Sequence, residues 1–224
     1  MHDIKINTVT SSKTLVKVKK VSITGGGAPQ NNKIKIMGVN VNGIVSKLPS
    51  FKAMIHAIKP DVFILQETKL VVEGSLKIEG YVIFEKVRTL KGGGGLVIGV
   101  KPKLAPIWVN EGEDDETETL SVVIKTKTKN IRVCSGYGPQ NNAPEEAKDK
   151  FWEYVSNDLA EAMKNKEEYL IEMDANSYLG PNLLPKDPRK QNINGKKMEE
   201  FLNDNGNVVL LNASNKCEGT ITRE

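Results

Sequence analysis

From Lys33 onward the chain alternates between two hydrophobic periods. "KIKIMGVNVNG" (33–43) repeats every second residue and stops at Asn42-Gly43, as a strand does. Leu48, Phe51, Met54, Ile55 and Ile58 then recur at three- and four-residue steps, which predicts an amphipathic helix over 47–58, ended by Pro60. "DVFILQE" (61–67) is a buried strand. "YVIFEKV" (81–87) and "GGLVIGV" (94–100) follow as strands parted by the glycine run 92–95. "ETLSVVIKT" (118–126) and "KNIRVCSGYGP" (129–139) read as an antiparallel pair turned at Lys129-Asn130, and the acidic stretch "EGEDDETE" (111–118) before them reads as a solvated loop. Pro144 opens a second helix, with Glu145 and Glu146 in its positive first turn and Ala147, Phe151, Trp152, Val155 and Leu159 on its inner stripe. "YLIEMDAN" (169–176) is a strand. A helix at about 195–205 turns Met198, Phe201 and Leu202 inward, with Gly206 as its C-cap, and "VVLLNAS" (208–214) is a further strand. The sum is an α/β chain, a layered sandwich in which helices cover sheets.

Residues 1–32 differ from the rest. "VTSSKTLVKVKKVSITGGGAPQNNK" is basic and polar and closes in Gly, Pro and Asn. "TLVKVKKVSIT" alternates well enough for a strand, but the composition favours a flexible basic arm or linker ahead of a domain spanning 33–224. A formal net charge of +4 is compatible with a polyanionic partner and does not by itself specify one. No run of 18 apolar residues suggests a membrane span, and no apolar leader is visible. Cys134 and Cys217 lack metal spacing and read as free thiols in a reducing compartment.

Candidate chemistry lies where strands end. "IMGVNVNG" delivers Asn40 and Asn42, "VFILQET" delivers Glu67, "RVCSGYGP" delivers Tyr137, and "YLIEMDAN" delivers Asp174 and Asn176. Each has a structural explanation on its own: Asn42-Gly43 as a turn, Glu67 as a strand-end charge, Tyr137 as an interfacial aromatic, Asp174 and Asn176 as turn formers. Together, two carboxylates, carboxamides and a phenol at one rim suit a hard cation and a phosphate. Mg²⁺ takes carboxylate oxygens, keeps several waters and shares phosphate oxygens.

"NVNGI" before a helix, then "PDVFILQET", "GGGGLVIGV", "YGPQ" and "LIEMDAN", resembles the endonuclease/exonuclease/phosphatase superfamily. Within it the likeness is greatest to the endonuclease domain of non-LTR (LINE-type) retrotransposons, itself similar to apurinic/apyrimidinic endonucleases; "QNINGKKMEEFLNDNGNVVLLNAS" and "CEGTITR" carry the same likeness. The resemblance implies a four-layered α/β/β/α sandwich of two mixed sheets (DNase I-like). It implies Mg²⁺ (Mn²⁺ as the alternative), DNA as substrate through its phosphate backbone, a reverse transcriptase domain of the same polyprotein as partner, and action in the nucleus or cytoplasm. By the same resemblance, Asn40 belongs to the floor of the active site and Glu67 is the main metal-binding carboxylate. Tyr137 contacts the scissile phosphate. Asp174 aligns or deprotonates the attacking water, and Asn176 holds that water or the phosphate. Asn42 stands where repair enzymes carry an acid, a weaker link to the metal.

The family pattern continues with a further aspartate and a Ser-Asp-His, none of which follows "GTITRE". The expectation is a domain lacking its last strands: a fragment, a degenerate copy, or a domain completed by another segment, weak or inactive as it stands. The alternatives are a catalytically dead nucleic-acid-binding remnant and a phosphatase of small phosphoesters.

Overall fold

The computed structural model describes residues 4–8, 17–22, 33–88, 93–111, 117–183 and 188–210. In chain order these form β1 (Ile4–Thr8), β2 (Lys17–Ser22), β3 (Lys33–Asn40), α1 (Leu48–Ile58), β4 (Val62–Gln66), β5 (Val82–Lys86), β6 (Leu96–Val100), β7 (Ile107–Glu111), β8 (Glu118–Lys125), β9 (Asn130–Tyr137), α2 (Glu145–Lys164), β10 (Glu168–Asp174), α3 (Gly180–Leu183), α4 (Ile193–Asp204) and β11 (Val208–Leu210). One sheet has the order β11-β1-β10-β9-β8-β7, the other β2-β3-β4-β6-β5. Both are mixed.

Each sheet contains a strand–helix–strand crossover between adjacent strands. β3 and β4 pair in parallel around α1, and β9 and β10 pair in parallel around α2. The helices cover the outer faces. Phe51 and Ile55 of α1 pack on Met37, Phe63, Leu65 and Val97. Phe151 and Val155 of α2, with Met198 and Phe201 of α4, pack on Ile171 and Met173. The sheets face each other through Ile36, Ile64, Ile98, Val122, Val133 and Leu170. The architecture is therefore the four-layered α/β/β/α sandwich. Among the described residues no helix is long and apolar enough to cross a membrane.

Several details depart from the sequence reading. Within residues 1–32, the alternation of "TLVKVKKVSIT" is used: β2 pairs antiparallel with β3, and β1 lies parallel between β10 and β11. β7 was not foreseen; it is an edge strand broken by a register shift between Trp108 and Asn110. The β8–β9 turn closes at Thr126–Lys129, and Asn130 already pairs with Lys125. Gly206 is not the C-cap of α4. Asn205 is, with a negative φ of −119°, its backbone N–H and side-chain amide both donating to Phe201 O. The end of "EGEDDETE" is not solvated, since Thr117 and Glu118 are buried. Cys134 is a buried free thiol; Cys217 and "CEGTITR" lie outside the described residues.

Candidate active site

The inward-facing positions of the sandwich change character along the strands. On β3 the series runs Ile34, Ile36, Gly38, Asn40; on β4, Val62, Ile64, Gln66; on β9, Ile131, Val133, Ser135, Tyr137; on β10, Leu170, Glu172, Asp174. On each strand aliphatic side chains give way to polar ones toward the carboxyl end of a parallel pair. Gly38 makes room for that change: a Cβ there would meet Glu172 Oε1 at 2.3 Å. Open α/β sheets place their ligand sites at this end of parallel strands.

Five of the six residues expected from the sequence meet there. Asn40 Nδ2 donates to Glu67 Oε1 at 2.7 Å and to Asp174 Oδ2 at 3.0 Å, joining the two sheets through one amide. Asp174 Oδ1 accepts the backbone N–H of Asn176 at 3.2 Å, and Asn176 Nδ2 donates to Gly138 O at 2.8 Å. The Tyr137 hydroxyl interacts with the side chains of both Glu67 and Asn176. Asn42 stands apart. Its backbone N–H donates to Asn40 Oδ1 at 3.1 Å, and its Oδ1 accepts the Lys69 ammonium at 2.5 Å, so a lysine occupies the acceptor that a cation would use.

Glu67 and Asn176 have positive φ, +52° and +46°. Asn tolerates the left-handed region, but Glu adopts it only where its surroundings dictate. Glu67 is clamped from both flanks. Gly43 N–H donates to Glu67 O at 2.7 Å, Thr68 N–H to Gly95 O at 3.1 Å, and Lys69 N–H to Gly94 O at 2.9 Å. Asn176 is held from below by Asn192, whose Nδ2 donates to Asn176 O at 2.9 Å while its Oδ1 caps α4 at Gly195 N. Asn194 Nδ2 braces the adjoining turn at Pro139 O, 2.6 Å away. Sequence periodicity gave no hint of either asparagine. Glu118 was missed as well: it is 3% exposed, accepts from Gly95 N–H at 2.6 Å and pairs with Arg88 Nη1 at 2.9 Å. Burial raises its pKa above the ordinary carboxylate value, and the Glu67 charge adds to the rise.

Burial, foremost, and then the charge of Glu67 also raise the Tyr137 phenol above its ordinary value of 10.0. It therefore remains a proton donor at neutral pH. A raised folded-state pKa stabilises the fold fully below the unfolded value and is lost as pH climbs above it. Replacing Tyr137 by Phe should thus flatten the loss of stability above about pH 10, where the unfolded phenol has ionised and the folded one still holds its proton; thermal melts on either side of that pH check it.

The donor set fits a hard, hydrated divalent cation. Glu67 and Asp174 present oxygens to one point, marked by the Asn40 amide, where like charges repel unless a positive charge enters. Among the described residues no three acidic, imidazole or thiol side chains gather as a cation-binding group. Two carboxylates suit an ion that keeps most of its waters.

No family model matches the sequence. Solved structures do match its shape. The 3′ phosphatase NExo from Neisseria, bound to a product DNA hairpin, is 17% identical with a TM-score of 0.59, over 76% of this chain and 70% of that one. The chain has a DNase I-like fold. The endonuclease domain of TRAS1, a telomere-specific non-LTR retrotransposon, shares this DNase I-like fold at 15% identity and a TM-score of 0.56, over 76% and 70% of the two chains. The AP endonuclease LMAP from Leishmania major does so at 17% and 0.60, over 76% and 66%. These DNase I-like neighbours are described as nucleases and phosphatases, and the end of the sandwich where Asn40, Glu67, Tyr137, Asp174 and Asn176 converge is the candidate active site.

Proposed function

We propose that this chain is a Mg²⁺-dependent phosphodiesterase that nicks DNA, an endonuclease of the non-LTR retrotransposon kind, with Mn²⁺ as the alternative ion. The observation that carries the reading is the meeting of Glu67 and Asp174 on the Asn40 amide. The fold neighbours support it, being described as an AP endonuclease, a retrotransposon endonuclease domain and a DNA-bound 3′ phosphatase. A reverse transcriptase domain of the same polyprotein is the partner that a nick in DNA would serve.

Glu67 and Asp174 would hold the ion, with Asn42 outside this pair. Bound there, it would act as a Lewis acid on the phosphate and on the leaving 3′-oxygen. Asp174 is the group placed to orient water and take its proton, both its oxygens being fixed by Asn40 and Asn176. Tyr137 keeps its proton and donates it as a hydrogen bond to a phosphate oxygen. The carboxamides of Asn40 and Asn176 add donors without adding negative charge beside a phosphate.

The test is nicking of supercoiled plasmid with Mg²⁺, comparing the chain with Asp174→Asn. Loss of a general base costs about 10²–10⁴-fold. Nicking that survives the substitution sinks the reading. DNA binding that weakens with salt, without nicking, replaces it with a catalytically dead binding module, and phosphate release from soluble monoesters replaces it with a phosphatase.

A further inference from the structure

Glu118 opens β8, opposite Tyr137 in the β8–β9 register, yet its carboxylate reaches the other sheet. Oε2 accepts the Gly95 N–H at 2.6 Å, and Oε1 pairs with Arg88 Nη1 at 2.9 Å. Gly93, Gly94 and Gly95 all have positive φ, +97°, +65° and +86°, a run that only glycine adopts without strain. A Cβ on Gly94 would lie 2.5 Å from both carboxylate oxygens, so the turn is moulded onto Glu118. The carbonyls of Gly94 and Gly95 in turn receive Lys69 N–H and Thr68 N–H, the two amides that follow Glu67.

We infer that Glu118 is a positioning residue: through the glycine turn it fixes the left-handed backbone of Glu67 and so aims the carboxylate that meets Asp174. The chain of contacts runs Glu118, Gly94-Gly95, Thr68-Lys69, Glu67, with Arg88 outside it as the counter-ion on the other carboxylate oxygen. It rests on the reading of Glu67 as a cation-holding group. The carboxylate of Glu118 is taken up by Gly95 N–H and Arg88 Nη1, away from the Asn40 amide where Glu67 and Asp174 meet. Its effect is on geometry, where a misplacement of about 1 Å can cost on the order of 10²-fold in rate.

The experiment compares Glu118→Ala, Glu118→Gln and Arg88→Met in the full chain, by amide hydrogen exchange and by plasmid nicking with Mg²⁺. In Glu118→Ala the Thr68 and Lys69 amides exchange at least about tenfold faster while Phe63–Leu65 stay protected, a local opening. Turnover falls about ten- to a hundredfold, and KM for DNA moves less than about twofold, the pattern of an interaction not used in substrate binding. Glu118→Gln keeps an oxygen for Gly95 N–H and restores turnover to within about threefold. If Glu118→Ala does not fold, Glu118→Asp, one methylene short of the glycine turn, takes its place. Unchanged exchange at Thr68 and Lys69 overturns the proposal whatever the nicking result. So does Glu118→Ala behaving as Arg88→Met does, with a lower melting temperature and unaltered turnover, since the pair would then serve stability alone. A parent chain that does not cleave overturns the nuclease reading instead, and the exchange data decide the clamp.

Discussion

Glu67→Gln should lose about 10³-fold in Mg²⁺-dependent nicking and, without divalent cations, melt higher than the parent chain. The substitution keeps the shape of the side chain and an oxygen for the Asn40 amide. It removes one of two negative charges that meet at that amide beneath a half-buried rim. Without a cation, those charges repel in a poorly solvated place, and the fold gains when one is neutralised. Activity moves the other way because several kcal/mol of transition-state stabilisation come from the ion, and each ~1.4 kcal/mol is a factor of ten in rate. Cation-dependent stability separates this from a general defect. At 100 times its Kd, a ligand bound only by the native state adds about 2.7 kcal/mol, which for a chain of this size is about 2–4 °C per kcal/mol. The parent should show that rise with Mg²⁺ and Glu67→Gln should not. An equal rise in both would remove Glu67 from the ion's ligands.

The second large effect lies beneath α2. Arg132 is 1% exposed, with Nη1 2.8 Å from Asp158 Oδ1 and Nε 2.8 Å from Glu167 Oε2. Ser121 Oγ and Tyr169 Oη both donate to the other Asp158 oxygen, at 2.7 and 3.0 Å. Burial opposes the guanidinium charge, yet its bonds to Asp158 and Glu167 outweigh that and raise its pKa. Arg132→Ala leaves the buried Asp158 without its counter-ion, a loss of about 3–5 kcal/mol. Urea denaturation measures it. Adding Asp158→Ala should cost less than a second loss of that size, because the stranded charge goes with it. A drop below about 1 kcal/mol for the single variant would show that the network is not the anchor of α2.

Most of the site was legible because of how its strands are made. β4 and β10 are buried on both faces, so apolar residues dominate both, and the carboxylates at their carboxyl ends stand out. Glu67 and Asp174 could be found in that way. Glu118 could not: it closes an acidic stretch that reads as solvated, and its partners lie 23 and 30 residues away. Asn192 and Asn194 were hidden for a similar reason, as capping and bracing bonds leave no period in the sequence. β7 is short, carries the exposed Ile107 and Trp108, and shifts register midway, so it lacks clean alternation. The alternation of β2 was visible, but its lysines made it resemble a solvated arm. Asn42 was assigned to the site because it follows Asn40 at the same strand end and stands where related repair enzymes carry an acid, and only three dimensions show its side chain turned to Lys69.

The placement of β1 bears on how the chain folds. Lys5 pairs with Leu170 on one side and Val209 on the other. This segment precedes every other described strand in the chain, and its berth lies between strands that follow it by some 160 to 200 residues. β3, α1, β4, β5 and β6 need nothing beyond Val100 to pair with one another and can assemble early. The opposite sheet must wait, since β1, its first strand in chain order, sits between β10 and β11, its last two. Long-range parallel pairing of this sort is the slow kind, so the insertion of β1 between β10 and β11 is a late event in folding, after both of those strands are in place.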